Sequence, residues 1–391
     1  MPFSSAFSQK PVAADALAAI LSQLDSGVTD SPDLVVYFFT PDHARHADSL
    51  LQAIKETLDP KHIIGCVAES VVATGQEIEE APAISLFVAK WPKEKKVTLE
   101  TFDLHYEDTS EGKTFLGWPD GLVGGAPKNG GMILLGDQVT CPVDRFLNQV
   151  NEDYPGLLVV GGMASGTRGP GSCRLVSDRG VFRSGAVGVL LGGDVGMHTM
   201  VSQGCRPVGH PMVVTKGVGN VIHELGGKKP LHQLQEMWRV LPASEQRLFE
   251  KGLHLGIVLN EYSQEFNRGD FLVRNCGLIQ ETGSLVVGDK IRTGQTVQFQ
   301  VRDAESADID LRIILEDYKK ARGKMPGGGL MFTCNGRGSR LFPGPSHDAN
   351  CVESLLGRLP IAGFFAQGEL GPVGGQNFIH GFTASMAFFD I

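Results

Sequence analysis

Short apolar runs alternate with amphipathic stretches three times along this chain, and each round closes in glycine. The first round opens with LVVYFF after Asp33, a continuously apolar run rich in β-branched and aromatic residues. That pattern predicts a strand buried on both faces. HARHADSLLQAIKETL then places its apolar residues at helical spacing, and HIIGCVAESVVATG returns to a strand-like run that ends in turn residues. The order recurs from Gly131 as GMILLGD, CPVDRFLNQVNEDY and GLLVVGGMASGTRGPG. It recurs again from Gly328 as GGLMFTCNGRG, HDANCVESLLGRL and PIAGFFAQGELGPVGG. Each round is followed by one more β-like segment: AISLFVAK, GAVGVLLGG and FIHGFTASMAFF.

The stretch between the second and third rounds has another texture. VSQGCRPVGHPMVVTKGVGNVIHELGG reads as strands broken by turns, PLHQLQEMWRVLPASEQRLFEKG as one or two helices, and LHLGIVLNEY through GQTVQFQVRDA as short strands. SADIDLRIILEDYKKAR then predicts a helix leading into the third round. The expected fold is mixed α/β (α+β), with repeated β-α-β-glycine units forming packed sheets flanked by helices. The boundary near Cys205 gives two expected domains, residues 15–204 and 205–390.

Composition narrows the function. The 391 residues are 42% hydrophobic and 20% charged, ordinary for a folded chain. Glycine is the outlier at 50 residues, well above the usual ~7%. A net charge of −9 disfavours a nucleic-acid partner, because phosphate binding needs clustered Lys and Arg. Seven scattered cysteines with no C-x-x-C pair predict reduced thiols rather than disulfides or a zinc site. The N-terminal segment lacks the layout of an export signal, and no run reaches the ~18 apolar residues of a membrane span. A cytoplasmic protein without membrane contact is expected.

The densest chemistry lies in FTCNGRGSRLF, residues 332–342. A strand ending in Cys334, Asn335, Gly336, Arg337 and Gly338 offers a thiol, an amide, a guanidinium and turn N–H groups, a set suited to an anion. The alternative is a tight turn in which Arg337 pairs with a structural carboxylate. In GFFAQGELGPVGG, Phe365 and Glu369 follow a strand, and Glu369 either receives a ligand amine or pairs with Arg337. Arg302 and Asp303 fall where a strand gives way to a helix, so Asp303 or Ser306 is a candidate cap. Cys334 with His347 or His380 and Asp348 has the residue types of a thiol nucleophile with its base. Ser165 lacks the G-x-S-x-G frame, and His43 with His46 lacks a third ligand. No catalytic residue, metal or cofactor is assigned.

Five motifs in order, SQGCRPVG, FLVRN, GQTVQFQVRDA, FTCNGRG and GFFAQGELGPVGG, resemble the FIST family over roughly residues 15–390. The resemblance implies an N-terminal and a C-terminal domain of a sensory module for small ligands such as amino acids. Its C-terminal signatures fall on Arg302, Asp303, Cys334, Asn335, Arg337, Phe364, Phe365 and Glu369. It also implies a downstream protein partner. The leading expectation is a sensory protein in which Arg337 and backbone N–H groups hold a ligand carboxylate while Glu369 holds its amine. Loss of Arg337 is then expected to abolish binding without unfolding. A protein-interaction adaptor and a cysteine-dependent enzyme are the alternatives.

Overall fold

The computed structural model describes residues 1–110, 112–167, 169–263, 265–266 and 269–391. The chain forms two compact units. The first comprises Met1–Ser202, Leu311–Ile379 and Thr383–Ile391; the second comprises Gln203–Asp310 and His380–Phe382.

In the first unit, β1 (Phe3–Ser8) and α1 (Ala13–Leu21) precede the first repeat. That repeat is β2 (Leu34–Phe39), α2 (Ala47–Leu58), β3 (His62–Val67), a hairpin of β4 (Val71–Ala73) and β5 (Gln76–Ile78), and β6 (Ile84–Ala89). After β7 (Val97–Thr109) and β8 (Gly112–Leu116), the second repeat is β9 (Gly131–Gly136), α3 (Val143–Asp153), β10 (Leu158–Met163), the hairpin β11 (Leu175–Ser177) and β12 (Gly180–Phe182), and β13 (Ala186–Gly193). Strand β14 (Met197–Gln203) leads the chain into the second unit.

The second unit holds β15 (Cys205–Pro207), β16 (Met212–Val218), β17 (Val221–Leu225), α4 (Pro230–Val240), α5 (Ala243–Lys251), β18 (Leu253–Val258), β19 (Phe271–Ile279), β20 (Ser284–Val287) and β21 (Thr296–Arg302). Helix α6 (Ala304–Arg322) carries the chain back. The third repeat is β22 (Gly328–Cys334), α7 (His347–Leu356), β23 (Ile361–Ala366), the hairpin β24 (Glu369–Val373) and β25 (Gln376–His380), and β26 (Thr383–Phe389). The mixed α/β class and the repeated β-α-β unit expected from the sequence are what the chain builds.

Each repeat forms the same sheet. Its two long strands pair in parallel, β2 with β3, β9 with β10, and β22 with β23, joined by a crossover helix. Its last strand returns antiparallel onto the first. The hairpin leaves for another sheet: β11 pairs with β3, β24 with β10, and β4 with β23. The three sheets therefore share one order, β1-β6-β2-β3-β11-β12, β8-β7-β13-β9-β10-β24-β25 and β14-β26-β22-β23-β4-β5. Both faces of each parallel pair are covered, which is why these strands are continuously apolar. Inner faces meet in one core, where Phe38 lies 4.9 Å from Phe364 and Phe332 lies 5.6 Å from Phe364, between ring centroids. The outer face of the second sheet is covered by Phe146, Leu147 and Val150 of α3, and that of the third by residues of α6 and α7.

The glycine of each round has a steric reason. In β3, β10 and β23, Gly65, Gly161 and Gly363 lie opposite Tyr37, Leu134 and Met331. A Cβ at these positions would lie 2.4, 2.0 and 1.8 Å from those residues' carbonyl oxygens.

In the second unit, β21 pairs with both β16 and β18, and β16-β17-β20-β19-β18 completes the circuit, closing a six-stranded antiparallel barrel. Val214, Ile222, Leu255, Leu285, Val297 and Phe299 fill its interior.

Gly363→Ala should lower stability by about 1–3 kcal/mol, the usual effect of overpacking a rigid core. Gly344→Ala, where an added Cβ meets nothing within 4 Å, should stay within about 0.5 kcal/mol of wild type in the same denaturant titration. Equal stabilities for the two variants would refute the steric account.

Candidate functional site

The three repeats face a common problem at the end of their parallel strands: the backbone amide that opens the last strand needs an acceptor. In the first repeat Ala83 N–H donates to Thr40 Oγ1 at 2.9 Å, and that hydroxyl donates to Asp42 at 3.1 Å. In the second, Gly185 N–H donates to Thr140 Oγ1 at 2.8 Å, and the hydroxyl donates to Asp137 at 2.6 Å. The third repeat differs. Thr383 N–H donates at 3.0 Å to Glu369 Oε2, which also receives the Thr383 hydroxyl at 2.8 Å.

Glu369 is completely buried. Burial pushes its carboxyl up to about 8, against the opposing pull of the Thr383 bonds, the Cys334 thiol and the Arg337 charge. Its second oxygen, Oε1, has no N–H or O–H donor. Cys334, at the end of β22, is buried beside it. The Cys334 sulfur receives Gly336 N–H at 3.4 Å and lies 3.8 Å from Asn335 Oδ1.

Arg337 is fully buried and points to a different acid. Its Nε and Nη2 bind Asp348 at 2.7 and 2.8 Å, a bidentate pair between the turn and the first residues of α7. Thr333 Oγ1 donates to the same carboxylate at 2.8 Å, and His347 Nδ1 lies 2.9 Å from it. Burial alone would raise the Asp348 carboxyl, but Arg337 and His347 hold it well below the usual carboxylate range. Phe342 stacks flat on His347, 3.5 Å between centroids, with the guanidinium 5.2 Å from the Phe342 ring centre. Nearby, Glu77 accepts the Ala349 N–H of α7 at 2.9 Å; burial and the Asp348 charge push its carboxyl up to about 8.

Cys334, Asn335, Gly336, Arg337, Phe365 and Glu369 thus come together where β22 and β23 end. Phe365 packs beneath the turn: a Cβ on Gly338 would lie 2.7 Å from its ring. Asn335 and the half-exposed Arg340 both reach Glu69 of the first repeat. Arg302 belongs to the second unit, where its guanidinium lies 5.4 Å from the Phe382 ring centre. Asp303 caps α6, with its carboxylate receiving the Ser306 hydroxyl at 2.6 Å and Arg206 Nε at 3.0 Å.

Among the turn's N–H groups, Asn335 donates to Ala366 O, Gly336 to the Cys334 sulfur, Arg337 to Cys334 O and Ser339 to Glu79. Those groups, like the guanidinium edge on Asp348, are engaged inside the protein rather than arrayed for an anion. His347 stacks on Phe342 with Nδ1 beside Asp348. Thr383, Thr333 and Glu77 escaped the sequence reading. The one available signal was their position at the ends of apolar runs that recur in the other repeats.

The family model described as the FIST N domain matches residues 33–228, and that of the FIST C domain matches residues 233–372. An uncharacterized protein of Mycobacterium tuberculosis (strain CDC 1551 / Oshkosh) is 43% identical over 390 residues, covering 99% of this chain and 98% of that protein. An uncharacterized protein of Mycobacterium bovis is 42% identical over 364 residues, covering 92% and 91% respectively.

Breaking the buried pair leaves a charge without its partner. Arg337→Met should therefore cost about 3–5 kcal/mol, while Arg337→Met with Asp348→Leu should recover much of it in a double-mutant cycle. Additive losses would show that the pair is not a unit. This replaces the expectation that Arg337 can be removed without affecting folding.

Glu369 predicts a pH dependence. Its folded value, about 8, lies above the ordinary 4.5, so its favourable contribution is complete below about pH 4.5 and is lost as pH rises towards 8. Glu369→Gln should gain on wild type by up to about 1.4 kcal/mol per pH unit across that window. A difference that does not vary with pH, measured by urea unfolding at pH 5, 6.5 and 8, would rule out a buried protonated carboxyl.

Proposed function

Because the chain belongs to the FIST family and carries both its N and its C domain, we propose that it is a small-ligand-binding sensory protein whose ligand presents an amine to Glu369. The family is associated with signal transduction and small-ligand sensing. The observation that carries the reading is the substitution of a buried carboxyl, one oxygen of which receives no N–H or O–H, for the threonine hydroxyls of the other two repeats. A hydroxyl suffices to hold the strand's amide, so the carboxyl's second oxygen is surplus to the fold. In a desolvated setting that oxygen favours a proton or a cation, and an ammonium group can replace the proton.

Cys334 borders the carboxyl and Asn335 follows it in the turn, and they provide soft and polar contacts for the remainder of an amino-acid-like ligand. Arg337 acts as a positioning residue, because its pair with Asp348 ties the turn to α7. A downstream protein partner reads the ligand-bound state.

The reading predicts that binding releases a proton. Affinity for the amine should rise by nearly tenfold per pH unit from pH 6 to about 7.5, then flatten above 8 as Glu369 ionises unaided. A thermal-shift screen of amino acids, small amines and small carboxylates comes first, since ligand at a hundredfold its Kd adds about 2.7 kcal/mol to stability. Calorimetry across pH follows for any amine that shifts wild type. The proposal fails if no amine shifts the protein, or if Glu369→Gln binds as wild type does.

A further inference from the structure

The barrel of the second unit carries polar side chains on its outer face, and two of them each bury one nitrogen that has no hydrogen-bond partner. Strands β18 and β21 run antiparallel with His254 opposite Gln300 and Gly256 opposite Gln298. Leu255, Ile257, Val297, Phe299 and Val301 point into the barrel. Strand alternation therefore puts His254, Gly256, Gln298, Gln300 and Arg302 on the other face. Gln298 is satisfied there, donating from Nε2 to Gly209 O at 3.0 Å. His254 and Gln300 are 6% and 1% exposed, yet His254 Nδ1 and Gln300 Nε2 have no hydrogen-bond partner. Buried polar atoms are ordinarily satisfied, so two orphans on directly opposed residues mark a place where a third group belongs.

The surroundings are built around that spot. Gly256 leaves it open: a Cβ there would lie 2.5 Å from Gln300 Nε2 and 2.9 Å from the Phe271 ring. Phe382 holds a left-handed backbone at φ 64°, a conformation a bulky residue adopts only under constraint, and such strain concentrates at ligand sites. Its ring lies 4.3 Å from that of His254, with the Arg302 guanidinium 5.4 Å from the Phe382 ring centre.

The two orphans are chemically complementary. Burial and the Arg302 charge push His254 down to about 4, and the ring is neutral at pH 7. The opposing effect of its hydrogen bond to Asn275 favours the protonated ring, so the nitrogen on that side donates and Nδ1 presents a lone pair. Gln300 Nε2 is a donor. One group that both donates and accepts satisfies the pair, and a ligand hydroxyl does so. Two residues beyond Gln300 on the same face, Arg302 supplies positive charge.

We infer that this face is a second small-ligand site, taking a small hydroxycarboxylate whose hydroxyl bridges His254 Nδ1 and Gln300 Nε2 and whose carboxylate lies toward Arg302. The inference stands apart from the Glu369 reading, with which it shares no residue.

The test compares glycolate with acetate, which lacks only the hydroxyl, on the full-length protein by calorimetry. A second readout follows the His254 Nδ1 signal in protein labelled with 15N-histidine. Glycolate should bind at least about tenfold more tightly than acetate, because a site built to hydrogen-bond a hydroxyl rejects the analogue without it. The His254 Nδ1 signal should move with glycolate alone. Gln300→Met should bring glycolate down to the acetate level, and Glu369→Gln should leave both affinities unchanged. His254→Asn serves as a second variant should Gln300→Met fail to fold. Equal binding of the two acids, no glycolate binding at 10-millimolar order, or an unmoved Nδ1 signal would overturn the site.

Discussion

Every parallel pair in the first unit leaves one strand edge unsatisfied, and the three repeats solve this only together. An exposed edge presents a row of unpaired N–H and C=O groups. The hairpin of the second repeat covers β3, that of the third covers β10, and that of the first covers β23. The same bond recurs at each junction: Val67 N–H to Arg174 O, Met163 N–H to Gly368 O and Phe365 N–H to Ser70 O, all at 2.9 Å. No repeat can therefore fold as a finished sheet by itself. The ring also accommodates the long excursion between its second and third members, because β14 and α6 are both tied into the first unit's sheets or cores.

Where the three meet, tolerances are small. The strand glycines bring backbone against backbone inside each pair. Between pairs, Ser165 of the second repeat accepts Glu69 N–H of the first at 2.8 Å and donates to Phe365 O of the third. One hydroxyl thus links all three repeats immediately behind the turn that holds Cys334 and Arg337. The precision of the candidate site comes from this junction, since Phe365 is both the acceptor of that hydroxyl and the floor of the turn.

Much of the fold was legible because burial on both faces writes itself as unbroken apolar runs, such as LVVYFF and GMILLG, and the repeat made three such signals mutually supporting. The exchange of hairpins was not legible. Strands as short as VVA and LVS carry no periodicity, and nothing local says whose edge they join. The barrel was hidden for a related reason: its closure pairs β18 with β21, some forty residues apart in sequence, through a register that local patterning does not specify. At the candidate site, Glu369 was one acid weighed as a partner for Arg337, and the guanidinium binds Asp348. Glu369 and Asp348 are both carboxylates near it in sequence, and the choice depends on α7 starting just behind the turn, which requires the folded path. Arg302 was singled out by chemistry, while the neighbours that give it interest, His254, Gln300 and Phe382, lie in separate segments joined only by strand pairing.

The charge balance around Arg337 gives the candidate site its character. Three acids, Glu77, Asp348 and Glu369, are buried within electrostatic reach of one fully buried guanidinium. Asp348 receives the guanidinium's Nε and Nη2 bonds, and burial penalises ionisation of the other two. Glu77 has a structural use, for it accepts the Ala349 amide in the first turn of α7. Glu369 also has one, holding Thr383, but the first two repeats accomplish the same task with an uncharged hydroxyl. In those repeats the acid, Asp42 or Asp137, stands behind the hydroxyl, whereas the third sets a carboxyl directly against the amide. The carboxyl's second oxygen, and the burial that pushes the group up to about 8, are therefore what distinguish the third repeat.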